Sequence, residues 1–64
     1  MRHTEFWEQM RHHLGATYAE SFARDFVIAE LGGRTVHEAL TAGVNTRDVW
    51  RAVCTALQLP PTAR

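Results

Sequence analysis

Residues that end helices divide this chain of 64 residues into short segments, and their positions constrain the fold more than any other feature. Glycine readily takes the left-handed backbone conformation that ends a helix, and proline lacks the amide that a helix would use. The helix-ending residues are Gly15, Gly32, Gly33, Gly43, Pro60 and Pro61. Because apolar residues recur at helical spacing between them and no segment reads as a strand, the sequence predicts an all-α fold.

The predicted architecture is a compact bundle of four short helices in a single domain that spans residues 1–59. The predicted helices cover residues 4–14, 18–31, 36–42 and 46–58, with boundaries that hold to a residue or two. Residues 60–64 begin with the proline pair and are expected to form a flexible tail. A chain of this length buries only about 60% of the surface that its unfolded form exposes, so its core must be small.

The second predicted helix is expected to lie at the centre of the bundle. Thr17 and Glu20 have the spacing of a capping box, which predicts that a helix starts there. Apolar residues cover more than half of its circumference, as in a helix that packs on two sides. These residues are Tyr18, Ala19, Phe22, Ala23, Phe26, Val27, Ala29 and Leu31. Ile28 falls instead among polar residues on the outward side, which makes it a candidate contact residue.

The first and fourth predicted helices each have one narrower apolar face. Thr4 is the predicted cap of the first helix. Its inward residues are Phe6, Trp7, Met10 and Leu14. The inward residues of the fourth helix are Val49, Trp50, Val53, Cys54 and Leu57. Because both tryptophans lie among these apolar neighbours, we expect them to be buried.

The last third of the chain carries clear helix-capping residues. Thr35 and Glu38 form a second capping-box pattern at the start of the third helix. Gly43 is expected to end that helix within two turns, and Asn45 or Thr46 to cap the fourth. Two short helices therefore meet at a glycine corner.

The same residues have the spacing of a helix-turn-helix unit. Ala39, Gly43 and Val49 allow two crossed helices to approach closely and to turn without strain. Glu38 departs from the pattern, since such motifs prefer an apolar residue there. In a DNA-reading unit, the first residues of the second helix meet base edges in the major groove. The candidate DNA contacts are Asn45, Thr46, Arg47 and Arg51.

Charge is balanced over the whole chain but not along it. Seven arginines stand against seven acidic residues, and the formal net charge is zero. Residues 1–33 carry three arginines against five acids, whereas residues 34–64 carry four against two. This division attracts a polyanion mainly to the C-terminal half and favours head-to-tail self-association. Because few arginines cluster there and Asp48 lies beside them, DNA binding by a monomer would be weak.

We find no pattern that indicates catalysis, a metal or a cofactor. The chain has four histidines and one cysteine, Cys54, but His12 and His13 are neighbours and the spacing does not suit zinc. No Ser, His and acid cluster or phosphate-binding glycine loop stands out, so we expect no enzymatic activity. The single thiol, with neither a leader-like segment nor a membrane-length apolar run, favours the cytoplasm.

Four stretches of the chain are distinctive when taken together. They are Met1–Trp7 (MRHTEFW), Ala29–Thr35 (AELGGRT), and Ala42–Val44 (AGV) with Val49–Cys54 (VWRAVC). In these stretches the chain resembles domain-of-unknown-function family 3046 (DUF3046), small proteins of actinobacteria. The resemblance implies a short, cytoplasmic, mostly helical protein of undetermined activity. Because genes of this family often neighbour those of the recombinase and its regulator, it also implies a link to DNA maintenance. It assigns no functional residues.

These observations favour a non-enzymatic protein-binding or regulatory module. The small core, the outward Ile28 and the uneven charge indicate a contact patch near Ile28, Arg47 and Arg51, with an unknown protein as the partner. The alternative is a weak helix-turn-helix DNA-binding protein that acts as a dimer. Both hypotheses are compatible with a homo-oligomer, and neither involves a membrane.

Overall fold

Four α-helices and one 3₁₀ turn make up the regular structure of residues 1–59, the part of the chain that the computed structural model describes. The elements are α1 (His3–Leu14), α2 (Ala16–Asp25), the 3₁₀ turn (Ala29–Leu31), α3 (Val36–Thr41) and α4 (Thr46–Leu57). Residues 1–59 contain no β-strand, which confirms the predicted all-α bundle. None of their helices has the length and apolar character needed to cross a membrane. The expected tail, residues 60–64, lies outside the described residues.

The aromatic centre of the core joins α1 to α4. Phe6 is completely buried, and its ring meets those of Trp7 and Trp50 edge to face, with centroids 5.2 and 6.1 Å away. Such contacts add roughly 0.5–1.5 kcal/mol to the stabilisation from burial. Trp50 is buried as predicted, whereas Trp7 is only partly buried at the margin of the core. Other large, fully enclosed side chains are Met10, Ile28, Val36, Val49, Val53 and Cys54.

Gly15 forms the corner between α1 and α2. Its φ of 88° favours glycine, and its carbonyl accepts a hydrogen bond from the amide of Ala19 at 2.8 Å. Because α2 begins directly after Gly15, Thr17 lies inside the first turn and its predicted role as a cap is wrong. The predicted Thr4 cap of α1 is also wrong, since that residue already lies within the helix.

The prediction of one long helix over residues 18–31 is wrong, because α2 ends at Asp25. The next residue, Phe26, takes an extended conformation. At Ile28 the chain pairs with Arg34, and the Ile28 amide donates a hydrogen bond to the Arg34 carbonyl at 3.0 Å. Ile28 and the residue before it are both β-branched, and such side chains lose rotamer freedom in a helix. This preference and the backbone pairing both favour the extended path.

The early end of α2 reverses which side chains face the core. Ile28, predicted to face outward, is completely buried. Tyr18, Phe26 and Val27, predicted to face inward, are 52%, 45% and 57% exposed. The buried residues of α2 are Ala19, Phe22 and Ala23. This narrow face is what a helix packed on one side requires, so α2 is not the central helix that we predicted.

The capping residues of α3 and α4 confirm the sequence prediction. The Thr35 amide donates to the Glu38 carboxylate at 2.9 Å, and the Glu38 amide donates to the Thr35 hydroxyl at 3.1 Å. This capping box explains why Glu38 stands where a helix-turn-helix motif prefers an apolar residue. Gly43, with a φ of 89°, follows α3, and the Asn45 side chain caps α4. The C-terminal half is thus a helix, a tight turn and a second helix.

Gln58 ends α4 in the left-handed conformation, with a φ of 54°. This geometry costs a residue with a Cβ atom about 1–2 kcal/mol, whereas glycine takes it freely. Gln58→Gly is therefore expected to raise the free energy of unfolding by roughly 0.5–1 kcal/mol. The gain is smaller than the full cost of the left-handed conformation, because glycine also gives the unfolded chain more conformational freedom. Urea denaturation measures the change. In the matched control Gln9→Gly, inside α1, a loss of about 1 kcal/mol is expected. Equal losses in both variants would contradict the proposed helix end.

Candidate functional site

Ile28 does not belong to a contact surface. Its outward position was predicted from a helix that continued past Asp25, and the structure instead buries the side chain completely. Ile28 lies in the apolar core, and its backbone holds the loop closed through Arg34. The predicted patch near Ile28, Arg47 and Arg51 therefore loses its apolar member.

Asn45 and Thr46, two of the candidate DNA contacts, have structural roles. Asn45 is exposed, but its side-chain oxygen accepts a hydrogen bond from the Arg47 amide at 2.8 Å. Thr46 is buried, and its hydroxyl donates to the carbonyl of Met1. This bond links the start of α4 to the first residue of the described chain. The Asn45 side-chain oxygen and the Thr46 hydroxyl, which were predicted to meet bases, are thus engaged within the protein.

Arg47 and Arg51 lie together on the exposed face of α4. They line a hollow of about 440 Å³, and Glu5 contributes a carboxylate to the same wall. The Arg51 guanidinium also lies 4.0 Å from the Asp48 carboxylate. Both members of that pair are exposed, and such pairs contribute roughly 0–1 kcal/mol. Two arginines therefore stand beside two acids, which leaves this surface with little net positive charge.

A second surface, which sequence reasoning missed, lies along α2. It is lined by Tyr18, Ser21, Phe22, Asp25 and Phe26, and we call it the aromatic surface. Its centre is a shallow hollow of about 300 Å³. Tyr18 and Phe26 are about half exposed, whereas Phe22 is buried. The aromatic surface thus has a buried ring as its floor and two exposed rings beside it.

The three rings of the aromatic surface form a continuous row. Phe22 and Phe26 are stacked, with centroids 4.8 Å apart and planes 17° apart. The Tyr18 and Phe22 centroids lie 6.1 Å apart. The row from the Tyr18 ring to the Phe26 ring is therefore less than about 11 Å long. The spacing of aromatic residues was visible in the sequence, but the assumed central helix assigned all three rings to the core.

Asp25 places a carboxylate at the edge of the aromatic surface. Its carboxylate lies 3.7 Å from the Nε of Arg24, and both side chains are mostly exposed. This exposed pair contributes little to stability, but Arg24 balances the charge of Asp25 as Asp48 balances that of Arg51 on α4. The arrangement therefore offers apolar ring faces, a hydroxyl at Ser21 and an accessible acid.

Two of the four histidines lie beside tryptophan rings, and the cysteine lies in the core. The His13 ring lies 5.7 Å from the Trp50 ring, and the His37 ring lies 5.5 Å from the Trp7 ring, measured between centroids. Cys54 is completely buried. Across residues 1–59, no group of three or more His, Cys, Asp or Glu side chains is placed to hold a metal ion.

Comparison with known proteins places the chain in a family. The model of the family described as "Protein of unknown function (DUF3046)" matches residues 1–62, so the chain belongs to that family. The chain matches none of the curated proteins and none of the solved structures with which it was compared.

Proposed function

We propose that this member of the DUF3046 family is a non-enzymatic, cytoplasmic protein-binding module whose partner covers the aromatic surface. The observation that carries the proposal is the exposure of Tyr18 and Phe26 on either side of the buried Phe22. Aromatic side chains dominate the energetics of many protein interfaces, and apolar groups grouped on one surface commonly mark binding sites. The family resemblance suggests that the partner acts in DNA maintenance.

The size of the aromatic surface indicates a weak and reversible contact. An aromatic side chain presents about 150–250 Å² in all, so covering the exposed halves of two rings removes on the order of 200 Å² from water. At about 25 cal/mol per Å², this burial contributes roughly 5 kcal/mol. The loss of translational and rotational freedom on association costs roughly 4–15 kcal/mol, which offsets most or all of it, so a partner must also contact side chains around the two rings. A transient partner fits this balance better than a permanent subunit does.

DNA binding by a dimer is the second candidate, because Arg47 and Arg51 are exposed and line one hollow. Two observations rank it below protein binding. Thr46 is buried, and its hydroxyl donates a hydrogen bond to the Met1 carbonyl. Glu5 and Asp48 lie beside the two arginines and reduce the net positive charge of the surface. A steep salt dependence of duplex binding that disappears in the variant with Arg47→Ala and Arg51→Ala would reverse this order.

Site-specific photo-crosslinking in the full chain tests the proposed function. A benzophenone amino acid at position 18 is expected to yield a discrete crosslinked species in cells, whereas the same group at the exposed position 8 is not. Phe26→Ser is expected to reduce the crosslink from position 18 several-fold, because it removes one of the two exposed rings. The yield is read on a denaturing gel.

Val27→Ser is the matched control for this experiment, because Val27 is more exposed than Phe26 and lies outside the hollow. We expect it to leave the crosslink unchanged. Circular dichroism confirms that each variant is folded. If folded Phe26→Ser crosslinks as well as the parent chain, or if positions 8 and 18 capture the same species, the aromatic surface is not the binding site.

A further inference from the structure

We draw no further inference here: the strongest candidate, the aromatic surface along α2, carries nothing beyond the site already described, because nothing in the structure shows which partner covers it.

Discussion

Ile28→Asp is expected to unfold the protein at room temperature. The Ile28 side chain is completely enclosed. Burying an unpaired carboxylate costs several kcal/mol in addition to the lost apolar contacts. A domain of this length has a total stability of only about 3–10 kcal/mol, so one substitution of this kind removes most or all of it. Far-ultraviolet circular dichroism, recorded during heating, measures the loss of helix.

Val27→Asp provides the control, because it introduces the same carboxylate one residue earlier, at a side chain that is 57% exposed. We expect its free energy of unfolding to stay within about 0.5 kcal/mol of the parent chain. If Ile28→Asp melts at the parent temperature while Val27→Asp does not fold, the two side chains have the opposite orientations. The end of α2 at Asp25 would then be incorrect.

Phe6→Ala is expected to lower the free energy of unfolding by about 3–5 kcal/mol. The substitution leaves a cavity at a completely buried position and removes the edge-to-face contacts with Trp7 and Trp50. Because both tryptophans adjoin the cavity, their fluorescence reports the change during urea denaturation. The midpoint is expected to fall sharply, with little folded protein left at modest urea concentrations.

Phe26→Ala is the matched control for Phe6→Ala, since it removes the same ring from a position that is 45% exposed. A loss of less than about 1 kcal/mol is expected, because solvent already reaches much of that ring. Comparable losses in the two variants would show that Phe6 does not occupy the centre of the core. A stable Phe26→Ala variant also demonstrates that Phe26 is free to contribute to binding.

Local capping chemistry made the C-terminal half of the fold predictable. Thr35 with Glu38 and Asn45 act through hydrogen bonds to amides two or three residues away, so sequence proximity alone defines them. Gly43 is similar, because a positive φ is a property of one residue. The structure bears these residues out, whereas Thr17 and Glu20, which have the same spacing as Thr35 and Glu38, lie inside α2 because that helix begins at Ala16.

The path after α2 was not predictable by the same reasoning. It depends on the backbone pairing of Ile28 with Arg34, a contact that forms only when the chain has already turned back. Apolar residues continue without a break from Phe26 to Ile28, so periodicity gave no reason to end the helix there. The path of the backbone after Asp25 places the Ile28 side chain in the core and leaves Phe26 and Val27 exposed.

The candidate site was also mispredicted because α2 was expected to continue past Asp25. Tyr18 and Phe26 looked like core residues because the assumed helix was apolar on most of its circumference. Once α2 is short and packs on one side, these rings have no partner within the core and become half exposed. Arg47 and Arg51, by contrast, lie on the outer face of α4 as the spacing predicted.

Cys54 in α4 is completely buried, so the reactivity of its thiol measures how often the folded chain opens. A thiol reagent reaches the sulfur only in molecules that have opened around α4, since enclosed thiols are inert. The rate of alkylation by a maleimide therefore tracks the population of opened molecules, with no label added to the protein. For the same reason, the folded form needs no reducing agent to prevent chains from joining through their sulfur atoms.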